Sequence, residues 1–246
     1  MPKLMDTTMQ EVKTASNYKF SAVKIDELGA TEYTLATVVV DVSGSVASYQ
    51  KELESCLKTV LGSCKKSPRA ENLMLRLVTF NEGLTEVHGF KLLNTMKESD
   101  YNGIIQPSGN TALFDAVYAS VEATKDYGKI LADQEYLANA IIFIITDGCD
   151  NSSGFSADGV KNMVAKAMKT ECLESITVVL VGVGYSDPSV ATYLDGFKND
   201  AGITQFINIG DATTGKLAKL ANFVSKSISS TSQALGSGSA SQPLTF

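Results

Sequence analysis

The 246-residue chain is 44% hydrophobic and carries 21 Lys and Arg against 27 Asp and Glu, for a formal net charge of −6. That apolar share suffices for one core and the length fits one domain with extensions, while the acidic balance argues against nucleic acid or an anionic membrane as partner. No apolar run approaches the ~20 residues of a membrane helix. The first 13 residues carry charges where a signal peptide would carry an apolar core, so a cytoplasmic location is expected.

In chain order, residues 1–30 read as an arm or an added strand. Tyr18, Phe20 and Ala22 share one face of a segment rich in strand formers. Residues 35–41 form the first core strand, whose β-branched run Thr37-Val38-Val39-Val40 marks it as buried and parallel. A helix is expected from Ser45, which can cap it. Val46, Tyr49, Leu53, Cys56, Leu57 and Val60 form its inner face, and Gly62 its stop. Residues 65–69 read as a solvated turn. Strands at 73–80 and 84–90 flank a turn at 81–83, which makes a hairpin and places one antiparallel strand at the sheet edge. A short helix is expected within 92–98 and a loop at 106–110.

The next helix spans 111–126, and the long link 128–139 suggests a helical extension. The most apolar run, 140–146, is a central strand. Helices are expected at 156–170, capped by Ser156, and from Pro188 to about 199. Strands at 176–183 and 204–209 alternate with them, and a closing helix spans 212–229. From 230 the composition turns to Ser, Gly, Ala and Gln, which predicts a flexible tail. The expected fold is α/β: a doubly wound, Rossmann-like, mostly parallel six-stranded sheet with one antiparallel edge strand and helices on both faces. The expected division is an arm at 1–30, a domain at 31–229 and a tail at 230–246.

The chemistry sits where strands end, the edge at which open α/β sheets bind ligands. Asp41, Ser43 and Ser45 follow the first strand. Thr111 opens a helix after the 106–110 loop, and Asp147 follows the central strand. This set of two carboxylates and three hydroxyls holds no soft donor, which suits Mg²⁺ or Mn²⁺ better than zinc. Gly44, Asn110, Gly148 and Asp150 lie beside these ligands, with Asp115 and Asp150 expected to be supporting or solvated.

Other features read as bland. The four cysteines have no paired metal spacing and are expected to be reduced thiols. Cys149 has no basic neighbour that would activate it. The single histidine, His88, is expected to be an exposed strand-end residue. The stretch Val181-Gly182-Val183-Gly184-Tyr185-Ser186 begins like a dinucleotide fingerprint but lacks the third glycine.

The three loops together resemble the metal-ion-dependent adhesion site (MIDAS) of von Willebrand factor A (vWA) domains. Asp41, Ser43 and Ser45 match that family's D-x-S-x-S loop. Gly109-Asn110-Thr111-Ala112-Leu113 resembles its threonine loop, and Thr146-Asp147-Gly148-Cys149-Asp150-Asn151 its aspartate loop. The resemblance covers about 35–229 and is closest to cytosolic microbial members. It implies the vWA fold and no catalysis. It also implies a protein–protein interaction module whose divalent cation takes an Asp, Glu or C-terminal carboxylate from a partner. The alternatives are an assembly subunit that joins copies or other chains, and a Mg²⁺-dependent phosphohydrolase with Asp41 as nucleophile. The second lacks the usual D-x-D pattern, since Ser43 stands at its second position.

Overall fold

The computed structural model describes residues 4–185 and 187–246. The expectations for residues 1–3 of the arm and for Ser186 lie outside the described residues. The strands are β1 (Met9–Lys13), β2 (Lys19–Val23), β3 (Glu32–Asp41), β4 (Leu73–Phe80), β5 (Leu84–Leu92), β6 (Leu137–Thr146), β7 (Ile176–Val183) and β8 (Gln205–Gly210). The helices are α1 (Gln50–Lys65), α2 (Leu113–Ala132), α3 (Ala157–Met168), α4 (Pro188–Ala201) and α5 (Thr214–Gly236). One sheet runs in the order β1-β2-β5-β4-β3-β6-β7-β8. Its central strands β4, β3, β6, β7 and β8 are parallel.

Alternate residues of each central strand face opposite layers. Val38, Val40, Phe143 and Ile145 pack under α1 and α5. Val39, Ile142, Ile144 and Leu180 pack under α2, α3 and α4. The result is a Rossmann-like, vWA-like α/β fold. No helix among the described residues is long and apolar enough to cross a membrane.

The sheet has eight strands, not six, and the antiparallel β5 is internal. The expected added strand is β2, which pairs parallel with β5 at Ala22 and Phe90, and β1 closes that flank antiparallel to β2. The reason is the apolar face of β2: Phe20 and Ala22 bury against Phe90 and Tyr127. Gly89 makes the approach possible, because a Cβ there would lie 1.7 Å from the Ser21 carbonyl oxygen.

A buried ion pair fastens the same flank. Glu86 accepts hydrogen bonds from Ser21 N and Ser21 Oγ, each 2.8 Å, and from Arg76 Nε at 2.8 Å. Arg76 is fully buried. Its Nη2 donates to the Tyr18 hydroxyl at 2.7 Å, and its guanidinium lies 5.6–5.9 Å from the Tyr18, Phe20 and Phe90 ring centres. Aromatic faces around a guanidinium partly offset its desolvation.

His88 is also interior, which overturns its expected exposure. It pairs with Leu77, where the β4–β5 register shifts, and β5 lies inside the sheet with strands on both sides. Its Nδ1 lies 2.9 Å from the Gly89 carbonyl oxygen and its Nε2 2.9 Å from the Tyr101 hydroxyl, so Nδ1–H donates and Nε2 accepts. Burial pushes its pKa down to about 4.

Several boundaries differ from the sequence pattern. Ser45 lies in a 3-10 turn, Gly44–Ser48, and α1 starts at Gln50, because the Ser45 hydroxyl is engaged by Asp147. Gly62 lies inside α1 and does not stop it. Residues 92–98 hold 3-10 turns instead of a helix. The closing helix continues past 229 to Gly236, so the first part of the expected tail is helical. Thr231, Ser232 and Leu235 are buried there. Asn139 Nδ2 donates to the Thr231 carbonyl at 2.8 Å. Arg69, expected in a solvated turn, donates Nε to Ser232 Oγ at 3.1 Å and pairs with Glu32. The four cysteines are free, Cys56 and Cys64 buried.

Candidate metal centre

Parallel pairing sets the site. Val40 pairs with Ile145, so the last residues of β3 and β6, Asp41 and Thr146, emerge side by side at the carboxyl rim. The neighbouring loops are tied on by backbone bonds. Val42 N donates to Phe80 O at 2.8 Å, Ser108 N to Val42 O at 2.9 Å and Gly44 N to Gly109 O at 3.1 Å. Ala112 N donates to Asn81 O at 2.7 Å, which holds the start of α2 against the β4–β5 turn.

Asp41 is fixed through both oxygens. Ser43 N donates to Oδ1 and Thr146 Oγ1 to Oδ2, each at 2.7 Å. Ser43 Oγ lies 3.1 Å from Ser45 Oγ, which donates to Asp147 Oδ1 at 2.8 Å. Thr111 Oγ1 faces the same rim, 3.7 Å from where a Cβ on Gly148 would stand. The structure thus brings all five predicted residues to one edge. Asp41, Ser43, Thr111 and Asp147 are buried and Ser45 is exposed.

The predicted neighbours divide. Gly148 N donates to Thr146 Oγ1 at 3.3 Å, and Gly44 N bonds the 106–110 loop. Asn110 Nδ2 donates to Glu82 Oε1 at 3.0 Å. Asp150 Oδ1 accepts from Phe114 N at 3.2 Å and from the Ser153 hydroxyl, so it caps the first turn of α2. The Asp115 carboxylate accepts from Gly154 N at 3.0 Å and Phe155 N at 2.8 Å. Both acids therefore brace loops.

Sequence reasoning missed three supporting side chains. Thr146 holds Asp41. Asn151 Oδ1 accepts from Thr111 N at 2.8 Å while its own N–H donates to Thr111 O at 3.0 Å, locking two loops together. Tyr49 packs beside Gly184, where a Cβ would meet its ring at 2.5 Å, and sits close enough to Asp147 for their charges to couple. The register of β3 against β6 could have pointed to Thr146; nothing local pointed to Tyr49.

Burial pushes the Asp41 pKa up to about 6, with hydrogen bonds from Thr146 and Ser43 opposing and the Asp147 charge adding to the rise. Burial likewise raises Asp147, against the hydrogen bond from Ser45. None of the ion pairs among the described residues involves either acid. Two adjacent buried carboxylates without a cationic side chain suit an external cation. Ser43 Oγ, Ser45 Oγ and the Asp147 carboxylate stand in hydrogen-bond contact with one another, so three oxygens of the two loops already converge on one point of the rim. Among the described residues no three His, Cys, Asp or Glu side chains cluster as a metal site, so any ion here rests on hydroxyls as well as acids. The donor set fits a small hard cation.

No protein-family model matches the chain, and no curated protein is similar to it in sequence. In three dimensions it is similar to the PilB minor pilin of Streptococcus sanguinis, with a TM-score of 0.61 and 14% identity over 89% of this chain and 66% of that one. It is similar to the pilus adhesin SpaC of Lactobacillus rhamnosus GG in its open conformation, with a TM-score of 0.56 and 12% identity over 93% and 35% of the two chains. A third similar structure is proximal thread matrix protein 1 of the mussel byssus with a zinc-occupied MIDAS motif. Its TM-score is 0.51, with 17% identity over 81% of this chain and 46% of that one. At these identities the likeness is one of fold. The chain spans between about a third and two thirds of the length of these proteins.

Proposed function

We propose that the chain is a metal-dependent binding module. In this reading Asp41, Ser43, Ser45, Thr111 and Asp147 hold Mg²⁺ or Mn²⁺, and a protein partner supplies an Asp, Glu or C-terminal carboxylate. The observation that carries it is the convergence of the Ser43 and Ser45 hydroxyls on Asp147, beside a second buried acid, Asp41, that pairs with no cationic side chain among the described residues. A zinc-occupied MIDAS motif in a protein of similar fold supports a divalent ion at such a rim.

Each residue has a task. Ser43 N and Thr146 orient Asp41 so that neither oxygen can turn away from the rim. Ser45 does the same for Asp147. The hydroxyls of Ser43, Ser45 and Thr111 are neutral donors, so they add coordination without adding negative charge. When bound, a cation with two acid ligands and several neutral ones stays electrophilic and attracts a further carboxylate.

A binder is favoured over a phosphohydrolase. Ser43 stands where such an enzyme would carry a second acid, and the one histidine is buried in β5. The test is calorimetric titration with Mg²⁺, followed by capture of a carboxylate-bearing peptide in Mg²⁺ and in EDTA. Binding of both is expected in the wild type and neither in Asp41→Ala. Magnesium binding unchanged in Asp41→Ala overturns the site. Asp41-dependent turnover of phosphate esters overturns the reading as a binder.

A further inference from the structure

The opposite, amino edge of the sheet carries a second feature. After α5 ends, the chain turns back at Gly238, whose φ of +66° suits a residue without a side chain. Residues 239–246 then cross the amino ends of the strands. Ser175 Oγ donates to Ser241 Oγ at 3.0 Å just ahead of β7, and Gln205 Nε2 at the start of β8 donates to the Leu244 carbonyl at 2.9 Å. Leu244 packs on the core, and the Phe246 ring meets Phe223 of α5 edge-on at 5.5 Å. The segment forms a strap.

Beneath it lies a cavity of about 10 Å³ between β7, β8, α5 and residues 242–244. Two of its lining residues each carry a buried side-chain oxygen without a hydrogen-bond partner: Gln205 Oε1 and Ser227 Oγ. Ser227 is 4% exposed. The amide cannot be flipped to remove the problem, because the Leu244 carbonyl only accepts and so requires Nε2 on its side. Oε1 is therefore the amide atom left without a partner. Thr177 and Thr231 line the same space.

We propose that this cavity is a binding site for one water molecule, which donates a hydrogen bond to Gln205 Oε1, bonds Ser227 Oγ, and is enclosed by the strap. The space is about that of a single water, and a buried water needs two to four polar partners, which these side chains supply. An apolar cavity of this size would stay dry. The strap is thus the lid of an internal hydration site, and α5 joins the sheet at this end through water and side-chain bonds as well as apolar contact. This site lies at the opposite edge from the proposed metal centre and is independent of it.

A high-resolution crystal structure of the full chain, with water–protein cross-relaxation in solution, tests the proposal. The expected result is one ordered water within hydrogen-bond distance of Gln205 Oε1 and Ser227 Oγ, giving water cross-peaks to neighbouring protons. Those peaks are lost in Ser227→Ala and in Gln205→Met, and exchange with bulk water is faster in Leu244→Gly. A direct Gln205–Ser227 hydrogen bond with no water overturns the proposal. So does a water that persists unchanged in both polar variants.

Discussion

Asp41 and Glu86 are both buried carboxylates of the same sheet, and the protein treats them in opposite ways. Glu86 receives an arginine, a backbone amide and a hydroxyl, all from the flank of β2, β4 and β5. Asp41 receives one amide and one hydroxyl, sits near another acid, and has no cationic side chain. Burying an ion without a counter-charge is costly. Glu86 has its counter-charge inside the fold and fastens strands, whereas Asp41 has none among the described residues, which is the difference on which the proposed metal site rests.

The largest expected effect tests the complete site. Glu86→Ala leaves Arg76 charged inside an aromatic cage and should lower stability by about 3–5 kcal/mol, read from the urea midpoint. Replacing both partners with apolar residues should cost far less. If the single and double variants lose equally, the pair is not what holds this flank.

His88 probes the same flank through pH. Its folded pKa of about 4 lies below the usual 6.5. As pH falls from 6.5 toward 4 the unfolded chain takes up a proton that the folded one refuses, so stability falls with acidification. The loss attributable to this residue approaches about 3 kcal/mol below pH 4. Denaturation midpoints across that window should flatten in His88→Phe; an unchanged slope would assign the acid sensitivity elsewhere.

The incomplete site should respond to metal. Magnesium at a hundred times its dissociation constant should raise wild-type stability by about 2.7 kcal/mol. Asp41→Asn should show no such gain, while His88→Phe keeps it. A thermal melt with and without the ion separates these outcomes, and stabilisation of Asp41→Asn would erase the contrast.

The smallest effect is the most discriminating. Without metal, Asp41→Asn should cost no more than about 1 kcal/mol, since the amide keeps a partner for Ser43 N and Thr146 and sheds an unneutralised charge. A loss as large as that of Glu86→Ala would make Asp41 a structural acid.

Much of this was legible. The β-branched and apolar runs of β3, β4, β6 and β7, the helices between them, the Ser156 cap and the Pro188 start all follow from local pattern. So did the gathering of Asp41, Ser43, Ser45, Thr111 and Asp147 at one rim, because strand ends of a parallel sheet share an edge. β1 escaped, since Gln10, Glu11 and Lys13 give it little apolar signal and it exists only by pairing with β2. The end of α5 escaped because Thr231 and Ser232 are buried by neighbours that their own polarity does not announce.

The sequence by itself determined the alternation of strands and helices and the oxygen-rich turns that close the central strands, because hydrophobic period and turn chemistry act over a few residues. Tertiary structure alone decided that β5 is internal, that His88 faces inward, and that Thr146 and Asn151 hold the rim. Those outcomes depend on which distant strand lies alongside and in what register, and no local pattern encodes the neighbour that a side chain meets across the sheet.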